Sequence, residues 1–305
     1  MNSALAERPT EAPLTIGDLQ TRRSWRNAKS HLMVGLMFVA FLVILVPLVA
    51  VIGTVVSRGA GIVLRDFPDW FTSEIPVRRR AVGPGMGPAI VGTLLITLFA
   101  SLLAIPLGIL GAVYLHEYGG QSRSARIVRF LANVMTGVPS IVMGLFVYVV
   151  FTINFGLAGV GGSLALACLM LPVVIRSTEE MLRLVPAHLR EASYALGTRK
   201  GRTILTIVLP SALPGVVSGC LLAIARAAGE TAPLLFTIGF VTKMNTNLFD
   251  GPNTTLSYQI FKNASETLRG PQERGWGAAF TLVAITFLFT VIARLVTASY
   301  QKRRR

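Results

Sequence analysis

Long stretches without a charged residue are the feature that most constrains the fold of this sequence. Asp, Glu, Lys and Arg are missing from five stretches, which cover residues 32–57, 81–115, 130–175, 203–225 and 275–293. A helix needs about 20 apolar residues to cross a bilayer, and the third stretch is long enough for two crossings. Its Asn154, Gly156 and Gly159 favour a turn between two helices. The sequence therefore predicts six membrane spans, near residues 32–56, 89–115, 130–151, 160–175, 211–240 and 276–298.

The composition agrees with an all-α integral membrane fold and argues against other classes of protein. Of the 305 residues, 52% are hydrophobic and only 14% are charged, whereas soluble domains contain about 25% charged residues. The two cysteines and three histidines are isolated from one another, so neither a disulfide framework nor a metal site is expected. The net charge of +15 is assigned to membrane topology and to attraction to lipid headgroups. Nucleic acid is not an expected partner, because no compact basic domain is present.

Lys and Arg cluster on alternate sides of the predicted spans, and this indicates the orientation of the chain. Most of the positive charge lies in the leader, after the second span, in the loop after the fourth span and in the C-terminal tail. Both termini are therefore expected in the cytoplasm, where positive loops remain. The run Arg78, Arg79 and Arg80 opposes this rule. We expect residues 1–30 to be a largely disordered basic leader and residues 31–305 to form the membrane domain.

The loop between the fourth and fifth predicted spans, residues 176–202, has a pattern of its own. Pro186 suits the first turn of a helix, and Gly197 suits its end. Between them the sequence places a narrow apolar stripe at helical spacing, Leu189, Ala192 and Leu196. Such a helix is either a plain connection or a surface that binds a soluble partner, and the pattern alone leaves both open.

Seven residues in and after this loop fall at a fixed spacing: Glu191, Ala192, Ser193, Gly197, Ile207, Leu209 and Pro210. They resemble the EAA loop of ABC-importer permeases, whose pattern is E-A-A-x3-G-x9-I-x-L-P. Ser193 stands where the family has alanine, which exchanges one small residue for another. The resemblance implies that a coupling helix containing Glu191, Ala192, Ser193 and Gly197 docks on an ATPase subunit. It also implies that Leu209 and Pro210 open the next span.

A second segment of the sequence indicates a particular group of permeases within this family. Residues 225–237, which read A-R-A-A-G-E-T-A-P-L-L-F-T, resemble the corresponding part of phosphate-importer permeases of the PstA type, and the likeness extends over about residues 88–300. It implies the type I ABC-importer permease fold in the inner membrane of a bacterium. It also implies four partners: a second, homologous permease subunit, two copies of an ATPase subunit, a soluble phosphate-binding protein and inorganic phosphate. No cofactor is expected in this chain, because ATP and Mg belong to the ATPase.

Arg226 and Glu230 are the most informative charges in the sequence, independently of any family. They lie within the fifth predicted span, where a charge costs about 2.5–3.5 kcal/mol unless it meets a partner or water. Their spacing of four places them on one helix face. They form either a structural ion pair or part of the substrate pathway, and we favour the pathway because a guanidinium matches the oxygens of phosphate. Thr231 is a weaker candidate as a hydroxyl donor to the substrate.

These features predict a permease subunit that forms half of a phosphate pathway and performs no catalysis. The chain has no G-x-x-x-x-G-K-[ST] phosphate loop, so ATP hydrolysis is expected on a separate subunit. Three alternatives remain open. One is a permease for another oxyanion, and the second is a proton-coupled secondary transporter that uses an intramembrane Arg–Glu pair. The third, a membrane-embedded enzyme, is the least favoured, because the sequence has no Ser/His, Cys/His or paired-carboxylate constellation at intramembrane depth.

Overall fold

The computed structural model describes residues 25–77 and 83–302, and these residues form helices and their connections without a β-strand. The predicted leader up to residue 24, and Arg78, Arg79 and Arg80, lie outside the described residues. The helices are α1 Trp25–Arg65, α2 Asp69–Thr72, α3 Gly87–Val113, α4 Arg123–Gly137, α5 Ser140–Val147, α6 Ile153–Phe155, α7 Gly159–Arg183, α8 Ala187–Ala195, α9 Lys200–Thr203, α10 Leu209–Ala228, α11 Leu234–Thr237, α12 Leu256–Ala264 and α13 Arg269–Lys302. Short π-helical turns join some of them, at Tyr114–Tyr118, Tyr148–Thr152 and Ile204–Val208.

Among the described residues, five helical runs are long and apolar enough to cross a membrane: Lys29–Arg65, Gly87–Tyr118, Gly159–Arg183, Lys200–Ala228 and Arg269–Ile292. A bent pair of helices brings the number of spans to six if it is counted as one crossing. The described chain divides into two units, the first ending at Gly53 and the second beginning at Thr54. Within the first unit, the apolar side chains of α1 are almost all exposed, as expected of a helix that meets lipid.

The core of the second unit lies where α7 packs between α3 and α10. Small side chains let these helices approach closely, and they include Ala100, Ala104 and Ala223. At Gly108 a Cβ atom would lie only 2.6 Å from Cγ1 of Val174, so α3 and α7 meet there without room for a side chain. Close packing of small residues is a general way to hold membrane helices together. This core fixes the positions of the elements that carry the functional candidates.

The third predicted span differs from the structure. The sequence predicts one crossing near residues 130–151, but two helical arms, Arg123–Gly137 and Ser140–Phe155, meet there at 108°. Val138 and Pro139 are extended between the arms, because Pro139 cannot donate a helical hydrogen bond and restricts the residue before it. The first arm also carries three arginines, which suit a polar surface rather than the bilayer interior.

The fifth predicted span differs at both ends. The sequence predicts residues 211–240, whereas the helical run begins at Lys200 and ends at Ala228. The chain then turns through Gly229–Pro233 before the single-turn helix α11. Gly229 weakens a helix and Pro233 lacks an N–H donor, so an apolar composition does not carry the helix through this segment.

Candidate functional site

The loop helix α8 has the boundaries that the sequence predicts. Pro186 precedes its first residue, and Gly197 follows its end with φ +75°, a conformation that favours glycine. Ser193 is buried, and its hydroxyl lies 2.8 Å from the hydroxyl of Thr203. Leu196 is 86% exposed. The helix therefore attaches to the rest of the loop through Ser193 and leaves an apolar side chain free at its end.

Arg190 anchors α8 to the end of the second span. Its Nη2 and Nε atoms lie 2.9 and 3.1 Å from Oε1 of Glu117, whose side chain is 6% exposed. The same guanidinium donates to the carbonyl oxygens of Val185 and Leu182. Lys200, at the start of α9, donates to the carbonyl oxygen of Glu117. Glu117 therefore contacts residues in both α8 and α9, the two helices of the loop.

A second set of charges joins the bent pair to the fourth span. The Nε atom of Arg129 lies 3.0 Å from Oε1 of Glu179, and its Nη2 donates to the carbonyl oxygen of Leu115 at 2.8 Å. Arg176 donates to the side-chain oxygen of Asn133. Together with the Arg190 contacts, these bonds connect the ends of α3, α4 and α7 at the membrane face that carries the loop.

The structure brings Arg226 and Glu230 together, but not on one helix face as their spacing predicts, because α10 ends at Ala228 and Glu230 lies in the turn that follows. Nε of Arg226 lies 3.5 Å from Oε1 of Glu230. The Arg226 side chain is 71% exposed in the isolated chain, whereas that of Glu230 is 19% exposed. The pair is therefore loose and asymmetric: the carboxylate is seated in the protein, and the guanidinium points away from the core.

The turn that follows Arg226 is held from two sides. The hydroxyl of Ser257 donates to the carbonyl oxygen of Glu230 at 2.8 Å. A Cβ atom on Gly144 would lie 2.5 Å from Cα of Pro233, so the second arm of the bent pair packs directly on the turn. Gly144 is about 16 Å of helix from the end of that arm at Phe155. The turn therefore lies at the depth of the helical arms rather than beyond their ends.

The remaining predicted residues lie only partly where the sequence predicts them. Leu209 and Pro210 fall inside the helical run that begins at Lys200 and do not open it, and Thr231 lies in the turn after α10. Glu191 and Ala192 are exposed on α8, and Leu209 and Pro210 form the first turn of α10. The carbonyl oxygen of Thr231 accepts a hydrogen bond from the backbone of Leu234.

Three other groups of the site were not predicted from the sequence: Glu117, Arg190 and Ser257. Glu117 and Arg190 are charges beside apolar stretches, which is a signal, but their pairing spans 73 residues. Ser257 reaches the turn from α12, and a lone serine in that helix carries no signal of such a role.

Comparisons with known proteins agree with this architecture. Residues 104–305 match the family described as binding-protein-dependent transport system inner membrane component. The phosphate transport system permease protein PstA 1 of Mycobacterium tuberculosis (strain ATCC 25618 / H37Rv) is 41% identical over 92% of this chain and 91% of its own length. The phosphate transport system permease protein PstA of Yersinia pestis is 38% identical over 91% of this chain and 92% of its own length.

A solved structure shows the same fold. The MetNI methionine ABC transporter in an inward-facing conformation contains a chain that superposes with a TM-score of 0.55 at 19% identity, covering 70% of this chain and 93% of that chain. The match confirms the predicted type I importer permease fold. The chain belongs to the family of binding-protein-dependent transport system inner membrane components, and within that family to the PstA permeases.

Proposed function

We propose that this chain is the membrane-spanning permease subunit of an ATP-driven importer of inorganic phosphate in a bacterial inner membrane. It forms half of the translocation pathway, and a second, homologous permease subunit forms the other half. Two copies of an ATPase subunit bind on the cytoplasmic side, where both termini of this chain also lie. A soluble binding protein delivers phosphate to the opposite side. Sequence identities of 41% and 38% to two PstA relatives, each over about nine-tenths of this chain, support phosphate as the substrate.

The observation that carries the pathway assignment is the exposed guanidinium of Arg226. This side chain lies next to a turn that is packed among membrane helices, yet 71% of it is exposed in the isolated chain. A guanidinium that faced lipid at this depth would be costly, so it faces water or a polar partner in the assembly. Its forked N–H donors match the oxygens of phosphate. We therefore place phosphate against the surface that Arg226 presents.

Glu230 competes with phosphate for Arg226 and so limits how tightly Arg226 binds the substrate. The carboxylate is seated in the protein, while the 3.5 Å contact to Arg226 is longer than a tight charged hydrogen bond. When phosphate approaches, the guanidinium can turn from the carboxylate to the anion. When phosphate leaves, the guanidinium pairs with the carboxylate again, and this pairing reduces the free-energy cost of an unpaired charge. We propose that Thr231, the next residue, adds a hydroxyl to the same surface.

The loop containing α8 transmits the state of the ATPase. Exposed Glu191, Ala192 and Leu196 offer a surface to the ATPase subunit, while Arg190 and Lys200 connect the loop to Glu117 at the end of the second span. A movement of α8 therefore reaches the spans directly. ATP and its Mg ion act on the partner subunit and switch the pathway between two conformations by stabilising one of them. This chain itself makes and breaks no covalent bond.

The alternatives predict different results in simple assays. A permease for another oxyanion would transport sulfate or molybdate in preference to phosphate, and competition in an uptake assay distinguishes it. A proton-coupled secondary transporter would work without an ATPase. Copurification of an ATPase subunit in mild detergent would therefore argue against this alternative. The PstA relatives favour the phosphate importer over both.

Replacement of Arg226 tests the pathway assignment. Arg226→Gln is expected to lower phosphate uptake by about 100-fold, because the charged partner of the anion is lost. Arg226→Lys keeps the charge without the fork and is expected to give an intermediate rate. Arg123→Gln, which removes an exposed arginine at the start of α4, is the matched control and should leave uptake unchanged. Uptake near the parent rate in Arg226→Gln, at equal expression in the membrane, would exclude the pathway role.

Replacement of Leu196 tests the coupling surface separately. Leu196→Asp places a charge on the exposed apolar side chain at the end of α8. We expect the ATPase subunit to be lost on purification in mild detergent, while the chain itself remains folded. Leu184→Asp, also at an exposed leucine beside the loop, is the control for a nonspecific effect of charge. Equal retention of the ATPase in both variants and the parent would contradict the assignment.

A further inference from the structure

A basic corner lies where α1 ends and α13 begins. Arg58, Arg65 and Arg269 line an open cavity of about 470 Å³ there, and the other lining residues are Ile62, Gln272, Glu273 and Trp276. Arg65 is paired with Asp66, with Nε and Oδ1 2.9 Å apart. With Asp66 counted, three guanidinium groups meet two carboxylates, so one positive charge is left over and the cavity favours an anion.

An apolar groove continues from this cavity. It has a volume of about 330 Å³ and shares Arg58, Gln272 and Trp276 with the basic cavity. The rest of its lining is small or aliphatic: Ile260, Ala264, Gly275 and Ala279. A charged cavity and an apolar groove that share a wall together fit a molecule with an anionic head and a hydrocarbon tail.

The corner lies at a membrane boundary. Arg65 is the last residue of the first candidate span, and Arg269 is the first residue of the last one. Alternation of the six spans places this boundary on the membrane face opposite the loop containing α8. Arginine and tryptophan are the side chains that characteristically lie at the level of lipid headgroups. The headgroups of phospholipids place phosphodiester anions at this level of the bilayer.

Close packing makes the corner a fixed shape. A Cβ atom on Gly59 would lie 2.5 Å from the carbonyl oxygen of Trp276, so α1 and α13 touch through their backbones. Arg58, the residue before, lies over the indole ring of Trp276 with Cζ 5.1 Å from the ring centre. Trp70 is fully buried behind this contact, and its Nε1 donates to the hydroxyl of Thr281 at 3.0 Å.

We propose that this corner binds one acidic phospholipid. The phosphodiester lies between Arg58 and Arg269, which can donate paired hydrogen bonds to its oxygens, and an acyl chain lies in the groove beside Ile260. Trp276 holds Arg58 over its ring through a cation–π contact. Inorganic phosphate could supply the same anionic oxygens to the arginines, but a small hydrated anion would not occupy the apolar groove. The site is therefore separate from the substrate surface at Arg226.

Native mass spectrometry of the full-length chain, purified in mild detergent with its accompanying subunits, tests the proposal. The probes are phosphatidylglycerol, phosphatidylcholine with the same acyl chains, and inorganic phosphate. We expect phosphatidylglycerol to be retained in preference to phosphatidylcholine, and an excess of inorganic phosphate not to displace it. In the double variant Arg58→Gln/Arg269→Gln this retention should fall by about 25-fold, since each arginine near an acidic headgroup contributes about fivefold.

Two further variants separate binding from general damage. Arg123→Gln/Arg126→Gln removes two exposed arginines from α4 and should leave retention unchanged. Glu273→Gln removes the carboxylate from the basic cavity and should raise the retention of phosphatidylglycerol, which a misfolded protein would not do. The proposal is overturned if the two lipids are retained equally, if Arg58→Gln/Arg269→Gln has no effect, or if inorganic phosphate displaces the lipid.

Discussion

The two ends of the helical run Lys200–Ala228 are held in different ways. At the Lys200 end, the loop is fixed by the ion pair between Arg190 and the buried carboxylate of Glu117 and by the bond from Lys200 to the carbonyl oxygen of Glu117. At the Arg226 end, the arginine makes a loose contact with Glu230, and a hydroxyl and a close backbone contact position the turn. A tight joint suits the transfer of motion, whereas a loose pair suits a residue that must exchange partners. Both forms of attachment can be tested by single substitutions.

The largest loss of stability is expected from the Glu117–Arg190 pair. Glu117→Gln keeps the size of the side chain but removes the charge that two guanidinium nitrogens contact. Removing one partner of a mostly buried pair leaves the other uncompensated, so the free energy of unfolding should fall by about 3 kcal/mol. Unfolding in detergent measures this value. Glu180→Gln, at an exposed carboxylate on the same membrane face, should change it by less than about 0.5 kcal/mol. Equal effects of the two variants would contradict a tight joint.

A somewhat smaller loss is expected where the bent pair meets the turn. Gly144→Ala places a Cβ atom 2.5 Å from Cα of Pro233, so backbone must shift. Overpacking of this kind should lower the free energy of unfolding by about 2 kcal/mol, and it should also reduce phosphate uptake because the turn carries Glu230. Gly137→Ala is the matched control, since a Cβ atom at that position would have no described neighbour within 4 Å. If both alanines are tolerated alike, the backbone contact does not position the turn.

The hydroxyl contact inside the loop should matter less. Ser193→Ala removes the bond to Thr203 and restores the alanine that the family pattern has at this position. We expect a loss of about 1 kcal/mol in the free energy of unfolding and uptake close to that of the parent. Ser265→Ala, which removes an exposed hydroxyl bonded to its own helix, should have a smaller effect. A large loss of uptake in Ser193→Ala would mean that the hydroxyl serves coupling and not only packing.

The smallest change in stability is expected at Glu230, although transport should respond. The contact is 3.5 Å long and Arg226 is largely exposed, so Glu230→Gln should change the free energy of unfolding by less than about 1 kcal/mol. Without the carboxylate, Arg226 should hold phosphate longer, lowering both the KM and the maximal rate of uptake. Glu266→Gln, at a carboxylate away from this turn, is the control. An unchanged KM in Glu230→Gln would argue against exchange of partners.

Local patterns in the sequence predicted much of this molecule. The boundaries of α8 follow from Pro186 and Gly197. The approach of Arg226 to Glu230 was predicted, but the two residues meet across the end of α10 at Ala228 and not on one helix face. Each of these features depends on residues within one or two helical turns. The first, second, fourth and sixth candidate spans likewise overlap the apolar stretches that predict them.

Features that depend on distant contacts or on a single break were not predicted. The apolar composition continues through residues 138 and 139, so it does not reveal the 108° bend between the two arms. It also continues past Ala228, where the helix ends. The bond from Ser257 to Glu230 crosses 27 residues. Such pairings depend on how the helices pack, and single-sequence periodicity contains no information about that packing.

The helical run from Lys200 to Ala228 has a mechanical consequence. About 40 Å of helix separates Lys200, attached to the loop, from Arg226. If the run pivots as a rod about its loop end, a tilt of about 5° displaces the guanidinium by roughly 3 Å, close to the length of a hydrogen bond. A lever of this length amplifies a small rotation at the ATP-driven side into the making or breaking of a single contact with the passing ion.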